Sequence, residues 1–248
     1  MSMIGEMLRP RCRTKPSALV VAVEIDKALI EELQRTLSSP RLWIIEADAL
    51  KLDWISTIAA AIARWKQFAA GGPSEPRIWI VANLPYYIST AIISKLLSLG
   101  RRVFDMTLML QAEVVDRITA GPGGREYGYL SVLVRYHSMA KKLFEVPPSA
   151  FKPAPKVRSA VVRLLVHEAP PIDVADEERF FFLVRAAFAQ RRKTILNNLK
   201  AAAAASKFLT GIEVALAAAN IDAKRRAETL SLAELGSLFK ALHRGAGS

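Results

Sequence analysis

Three polar residues sit where short β-branched runs give out: Glu24 near the end of Ala18–Ile25, Asp48 shortly after Leu42–Ile45, and Asn83 after Ile78–Ala82. In an open α/β sheet the carboxyl edge of the strands is where ligands bind. A carboxylate at Glu24 can accept both hydroxyl hydrogens of a ribose, and Asp48 can accept from the exocyclic amine of an adenine. Each also has a plain structural role open to it, as a helix cap or a solvated strand end. The run Asn83-Leu84-Pro85-Tyr86 is more specific. The amine of a base is a poor nucleophile because its lone pair is delocalised into the ring. Chemistry at that nitrogen needs hydrogen-bond acceptors for its N–H groups and a surface on which the extruded ring can stack. The amide oxygen of Asn83 and a backbone carbonyl beside Pro85 can be the acceptors. Pro85 fixes the loop, and Tyr86 can stack. No strongly shifted general base is required, because an alkylated amine is cationic and loses its proton readily.

These residues need a sheet and helices to hold them. From Ser17 onward, short apolar runs alternate with helical patterns, the rhythm of an α/β domain with a parallel sheet. Asp26 is placed to cap a helix carrying Ala28, Leu29, Leu33 and Leu37. Further strands are expected at 42–45, 78–82 and 106–110, and helices at 55–68, 89–99 and 112–119. The proline-dense stretch 144–155 reads as a rigid, non-helical connector, and 159–166 as the closing strand. Pro170-Pro171 reads as a hinge, after which alanine, leucine, lysine and arginine at helical spacing predict a small all-helical domain. The expected division is 1–169 and 170–248.

Composition constrains the partner. Among 248 residues, 35 Lys and Arg face 23 Asp and Glu, a formal charge of +12 on a chain that is half apolar. A polyanion is the natural partner, although a basic protein can carry such charge for solubility alone. The single cysteine, Cys12, and scattered histidines offer no set of metal ligands. No apolar run is long enough to span a bilayer, so a cytoplasmic protein in a reducing compartment is expected, with a monomer as the default. The Arg9, Arg11, Arg13 pattern leaves a transit peptide as the other reading of the first residues.

With these motifs in order, the chain resembles the KsgA-type ribosomal RNA adenine dimethyltransferases from Val20 to the C-terminus. The matching pieces are Val21-Ala22-Val23-Glu24-Ile25-Asp26, Glu46-Ala47-Asp48-Ala49-Leu50, Asn83-Leu84-Pro85-Tyr86-Tyr87, Met109-Leu110-Gln111 with Glu113, Tyr127-Gly128 with Leu130-Ser131-Val132-Leu133, and Phe151-Lys152-Pro153-Ala154-Pro155-Lys156-Val157. In the tail, Arg185-Ala186-Ala187-Phe188 leads into Gln190-Arg191-Arg192-Lys193-Thr194.

The resemblance implies a Rossmann-like methyltransferase sheet, N-terminally incomplete, with a helical C-terminal domain. It implies an S-adenosylmethionine-dependent adenine N6 dimethyltransferase acting on small-subunit ribosomal RNA or a pre-ribosomal subunit. Glu24, Ile25, Asp48, Ala49 and Asn83 would bind the cofactor, with Glu24 on the ribose and Asp48 on the adenine amine. Asn83, Leu84, Pro85, Tyr86 and Phe151 would form the catalytic pocket, Tyr86 and Phe151 sandwiching the flipped adenine. Phe151 has a bland alternative as a plug between domains. Arg191, Arg192, Lys193 and Lys156 would contact RNA phosphates, or else form a solvated face. The alternative to the enzyme is a catalytically impaired or truncated RNA-binding ribosome-assembly factor of the same fold.

Family members begin with a gating segment and a strand that ends in a glycine-rich turn at the cofactor. Here 23 residues precede Glu24, and Met1–Lys15 holds one glycine, Gly5. That strand would lie between those ending at Glu24 and Asn83, so apolar edges are expected to be exposed. This polypeptide is accordingly expected to bind S-adenosylmethionine weakly or not at all. Titration calorimetry should show no micromolar isotherm, and a micromolar affinity would contradict the expectation.

Overall fold

The computed structural model describes residues 18–69, 75–204 and 208–245. The expectations resting on Met1–Lys15, on the Gly71-Gly72-Pro73 loop and on Ala205 lie outside these residues. The described chain forms two compact units, the first drawn from residues up to Ile78 and Ala91–Val103, the second from Trp79–Thr90 and everything from Phe104 on.

In the first unit β1 (Val20–Glu24) and β2 (Leu42–Glu46) form a two-stranded parallel sheet with Glu24 opposite Glu46. Helix α1 (Lys27–Thr36) starts at Asp26, whose side chain accepts from the Ala28 and Leu29 backbone N–H groups, as its position predicted. It buries Ile30 and Leu33, one turn apart on one face. Helix α2 (Trp54–Lys66) is capped by Asp53. Hydrogen bonds from Ser56, side chain first and then backbone, hold the Asp53 carboxyl below its ordinary pKa. Helix α3 spans Ser89–Leu97, and its buried Ile92, Ile93, Leu96 and Leu97 repeat at helical spacing.

The second unit is built on a four-stranded sheet in the order β3 (Trp79–Asn83), β4 (Asp105–Gln111), β6 (Ser159–Val166), β5 (Ser138–Val146). Only β3 and β4 run parallel; β6 is antiparallel to both β4 and β5. This corrects the expectation of a single parallel sheet. A parallel return needs a long crossover, whereas β5 reaches β6 through a loop whose single 3-10 turn is too short to carry the chain back. The proline-dense stretch is likewise corrected at its start. Residues 144–146 belong to β5, and the turn after it is a short 3-10 helix, Pro148–Ala150.

One face of this sheet is the core. Met106, Leu108 and Leu110 of β4 and Ala160, Val162 and Leu164 of β6 are essentially sealed from solvent. Helices α4 (Ala112–Thr119) and α5 (Tyr129–His137) pack on the sheet and on each other. The other face carries Trp79 at 59% and Val81 at 45% exposure on β3. Among the described residues β1 pairs only with β2, and β3 only with β4.

Helices α6 (Glu177–Ala187), α7 (Ile195–Ala203), α8 (Ile212–Ala218) and α9 (Leu232–Gly245) follow. Helix α6 joins α5 through an aromatic cluster in which Tyr136, Phe180 and Phe181 meet with ring centroids 5.2–5.6 Å apart and Phe239 of α9 meets Phe180 at 5.7 Å. No helix among the described residues is long and apolar enough to cross a membrane.

His137 lies inside this cluster, stacked on Phe181 at 5.6 Å. Burial, and then the nearby His167, push its pKa down to about 4 from 6.5, although its Nε2 is 3.5 Å from the Glu177 carboxylate. The unfolded chain therefore takes up a proton at this position before the folded one does. Stability is complete above pH 6.5 and falls as pH drops toward 4, by up to about 3 kcal/mol. Glu177, whose own pKa is raised by burial, works in the opposite sense. Urea unfolding followed from pH 7 to pH 4.5 should show the loss, and His137→Phe should flatten it; equal slopes in both proteins would contradict the assignment.

Candidate active site

At the carboxyl end of the two-stranded sheet the structure brings Glu24, Ile25, Asp48 and Ala49 together. The Ala47 N–H donates to the Glu24 carbonyl at 2.9 Å, extending the ladder past the last paired residues. Glu24 turns one carboxylate oxygen back on the chain, where Oε1 accepts from the N–H groups of Ile25 and Asp26 at 2.8 and 3.0 Å. Asp48 does the same, its Oδ1 accepting from the Leu50 N–H at 2.8 Å while its carbonyl takes those of Lys51 and Leu52. Each carboxylate thus spends one oxygen on its own turn and keeps the second without a partner among the described residues. Ile25 stays 63% exposed beside Glu24.

The turn after Asp48 is held by two residues that neither composition nor spacing singles out. Trp54 donates its indole N–H to the Ala49 carbonyl at 2.9 Å, and Lys95 donates to the Leu50 carbonyl. A lysine aimed at a carbonyl has no signature in composition or spacing.

In the second unit, Asn83 ends β3 opposite Met109. The Leu84 N–H donates to the Met109 carbonyl at 3.1 Å, so the ladder continues one residue beyond the strand and the buried Leu84 side chain plugs the core. Pro85 then turns the chain, its carbonyl accepting from Ile88 at 3.2 Å. The exposed Asn83 amide and the Leu84 carbonyl are left without partners among the described residues. Two acceptors, one side chain and one backbone, thus stand at one strand end, the number that the two N–H bonds of an adenine amine require. Tyr86 is half-buried and held at both ends. Its carbonyl accepts from the buried Ser89 hydroxyl at 3.1 Å, and its phenol meets Ser159 Oγ at 2.7 Å. Phe151 follows the 3-10 turn, half-buried, with its N–H on the Pro148 carbonyl at 3.1 Å.

The basic residues divide. Arg191 is tied internally, its Nε 2.9 Å from Glu228 Oε2 and its Nη2 donating to the Arg125 carbonyl. Gly123, at φ +83 where a side chain would be strained, donates to the Glu228 carbonyl at 2.7 Å, so the glycine-rich loop is fastened to the helical region. The buried Asn198 amide donates to the Ala187 and Gln190 carbonyls at 2.6 and 3.0 Å and closes the loop that carries Arg191–Lys193. Arg192, Lys193 and Lys156 remain exposed. Tyr127, in the same loop as Gly123, is buried against Phe188, and burial pushes its phenol up to about 12.

A family model described as ribosomal RNA adenine dimethylase matches residues 14–238. The ribosomal RNA small subunit methyltransferase A of Shouchella clausii is 45% identical over 230 residues, 92% of this chain and 74% of that protein. The protein of the same name from Anoxybacillus flavithermus is 46% identical over 226 residues, 90% of this chain and 73% of the other. Among solved structures, a dimethyladenosine transferase from Plasmodium falciparum superposes with a TM-score of 0.71 at 23% identity, covering 92% of this chain and 83% of that one. The 23S rRNA methyltransferase ErmE gives 0.61 at 24%, covering 91% and 82%. At these identities the structural likeness speaks for the fold.

Neighbouring arginines of the α6–α7 loop should respond differently to substitution. Arg191→Ala leaves the partly buried Glu228 without its closest cation and should cost about 1 kcal/mol, a fall of a few degrees in Tm. Arg192→Ala should leave Tm unchanged. Equal shifts in thermal denaturation would contradict the assignment of Arg191 as an internal tie.

Proposed function

Because this chain belongs to the ribosomal RNA adenine dimethylase family, we propose that it transfers two methyl groups in succession to the N6 of adenine in small-subunit ribosomal RNA. The observation that carries this reading is the pair of acceptors without partners at the end of β3, the Asn83 amide oxygen and the Leu84 carbonyl, beside an anchored Tyr86.

In this reading the extruded adenine lies between Tyr86 and Phe151. Its amine donates to Asn83 and to the Leu84 carbonyl, which draws the N–H bonds into fixed directions and turns the lone pair out of conjugation with the ring. S-adenosylmethionine supplies an electrophilic methyl group on a sulfonium. The chain's part would be to hold the amine lone pair in line with that methyl group, through Asn83 and the Leu84 carbonyl. The resulting ammonium loses its proton to water, so no buried base is needed. The second transfer repeats the step with one N–H bond replaced by N–CH3. Glu24, through its remaining carboxylate oxygen, would hold the ribose hydroxyls of the cofactor, and Asp48 its adenine amine, with Ile25 and Ala49 flanking them.

Residues 1–169 would carry out the chemistry, and 170–248 would track RNA phosphates with Arg192 and Lys193, Lys156 adding to them from the loop before β6. Because Arg191 is held by Glu228, its part is to hold the loop. The protein would work as a monomer in the cytoplasm.

Labelled methyl transfer to unmethylated small subunits tests the proposal. With cofactor supplied in large excess, to offset the weak binding expected above, the wild type should label the RNA, and Asn83→Ala should lose about 100-fold or more, because an aligned acceptor acts on the reacting nitrogen itself. Binding without labelling, with affinity falling steeply in salt, would replace the enzyme by an RNA-binding assembly factor of the same fold.

A further inference from the structure

Ser159 opens β6 and is fully buried, an isolated hydroxyl at the head of the apolar run Ala160-Val161-Val162. The sheet holds it from both sides, opposite Gln111 of β4 and Val146 of β5. Just before it, the Ala112 N–H donates to the Arg158 carbonyl at 2.9 Å and fixes the strand's start. A buried hydroxyl without a partner costs about 1–3 kcal/mol, and Ser159 Oγ finds its partner 2.7 Å away in the phenol of Tyr86.

The phenol oxygen lies on the axis about which the tyrosine ring spins, so this bond governs where the ring points rather than its spin. It opposes rotation about χ1, the motion that would swing the ring away from the end of β3. The Ser89 hydroxyl on the Tyr86 carbonyl fixes the other end. Ser89 is itself buried, so both anchors belong to the sealed part of the molecule while the ring they hold is half-exposed.

We infer that Ser159 is a positioning residue for base stacking, acting through the Tyr86 hydroxyl to hold the ring ready before RNA arrives. The inference rests on the proposed function. It assigns a task to a residue of a different strand and to an oxygen of Tyr86 that stacking itself does not use.

A double-mutant cycle on full-length protein tests it, with single-turnover methyl transfer to unmethylated small subunits as the readout. Ser159→Ala and Tyr86→Phe should each lower the rate at saturating RNA by about 10-fold, the scale expected when a reacting group is misplaced. The RNA concentration for half-maximal rate should stay within about twofold. The double variant should be no slower than either single one, since both remove the same bond. Ser159→Thr, which keeps the hydroxyl, should return the rate to within about threefold of wild type. Multiplying effects in the double variant, an unaffected Ser159→Ala, or a change confined to the half-saturating RNA concentration would overturn the inference. Tyr86→Ala separates the two layers. If it abolishes transfer while Ser159→Ala does not slow it, the stacking role stands and only the positioning role falls. A Tyr86→Ala protein at the wild-type rate, or an inactive wild type, removes both.

Discussion

An adenine amine has two N–H bonds, and a site that recruits its lone pair must meet both with acceptors that cannot turn away. At the end of β3 backbone pairing leaves two acceptors of that kind. The ladder between β3 and β4 runs one residue past the strand, consuming the Leu84 N–H on the Met109 carbonyl and leaving the Leu84 carbonyl without a partner among the described residues. Pro85 can donate nothing and stops the ladder there. Asn83, in the last paired position, adds its amide as the second acceptor. The buried Leu84 side chain locks this arrangement to the core, so a slip of one residue would bury Asn83 and expose Leu84 together.

The same sheet explains how residues far apart in sequence can serve one ring. Met109 sits between Asn83 and Val161 in the register, and Ser159 lies two residues from Val161 along β6. The phenol of Tyr86 reaches that position from the loop after β3. Elsewhere in the same unit, cations are spent on structure. Arg191 is tied to Glu228, and Arg225 reaches Glu234, whose carboxyl it holds below the ordinary pKa range. A net charge of +12 therefore overstates what is free to meet phosphate. Of the four basic residues that the sequence singled out for RNA, Arg192, Lys193 and Lys156 are exposed and have no ion pair among the described residues.

Much of this was legible before any coordinates. Asp26 as a cap, the strands carrying Glu24 and Asn83, and helix α4 from Ala112 to Thr119 follow from local chemistry that packing does not override. Strand β5 was not legible, for a specific reason. A bulge between Lys142 and Phe144 shifts the register, so Leu143 and Phe144 are both exposed and the two-residue alternation is lost. Helix α5 hid differently, being buried from Leu130 to Val134 with no polar face to mark its period. The antiparallel return of β6 and the division into two sheets depend on long-range pairing that no window of sequence contains. At the site, residue types pointed to Asn83 and Tyr86. The anchors Ser159, Ser89, Trp54, Lys95 and Asn198 are common residues whose roles come only from where the chain places them.

In the proposed reaction a base leaves the RNA and settles at the end of β3. Ultraviolet crosslinking of the protein to unmethylated small subunits, followed by mass spectrometry of the adducts, reads this directly, because crosslinks form where aromatic rings stack on bases. Adducts on the peptides containing Tyr86 and Phe151, lost in Tyr86→Ala, are the predicted result. Adducts confined to the α6–α7 loop and its basic neighbours, with none at either aromatic, would contradict the account.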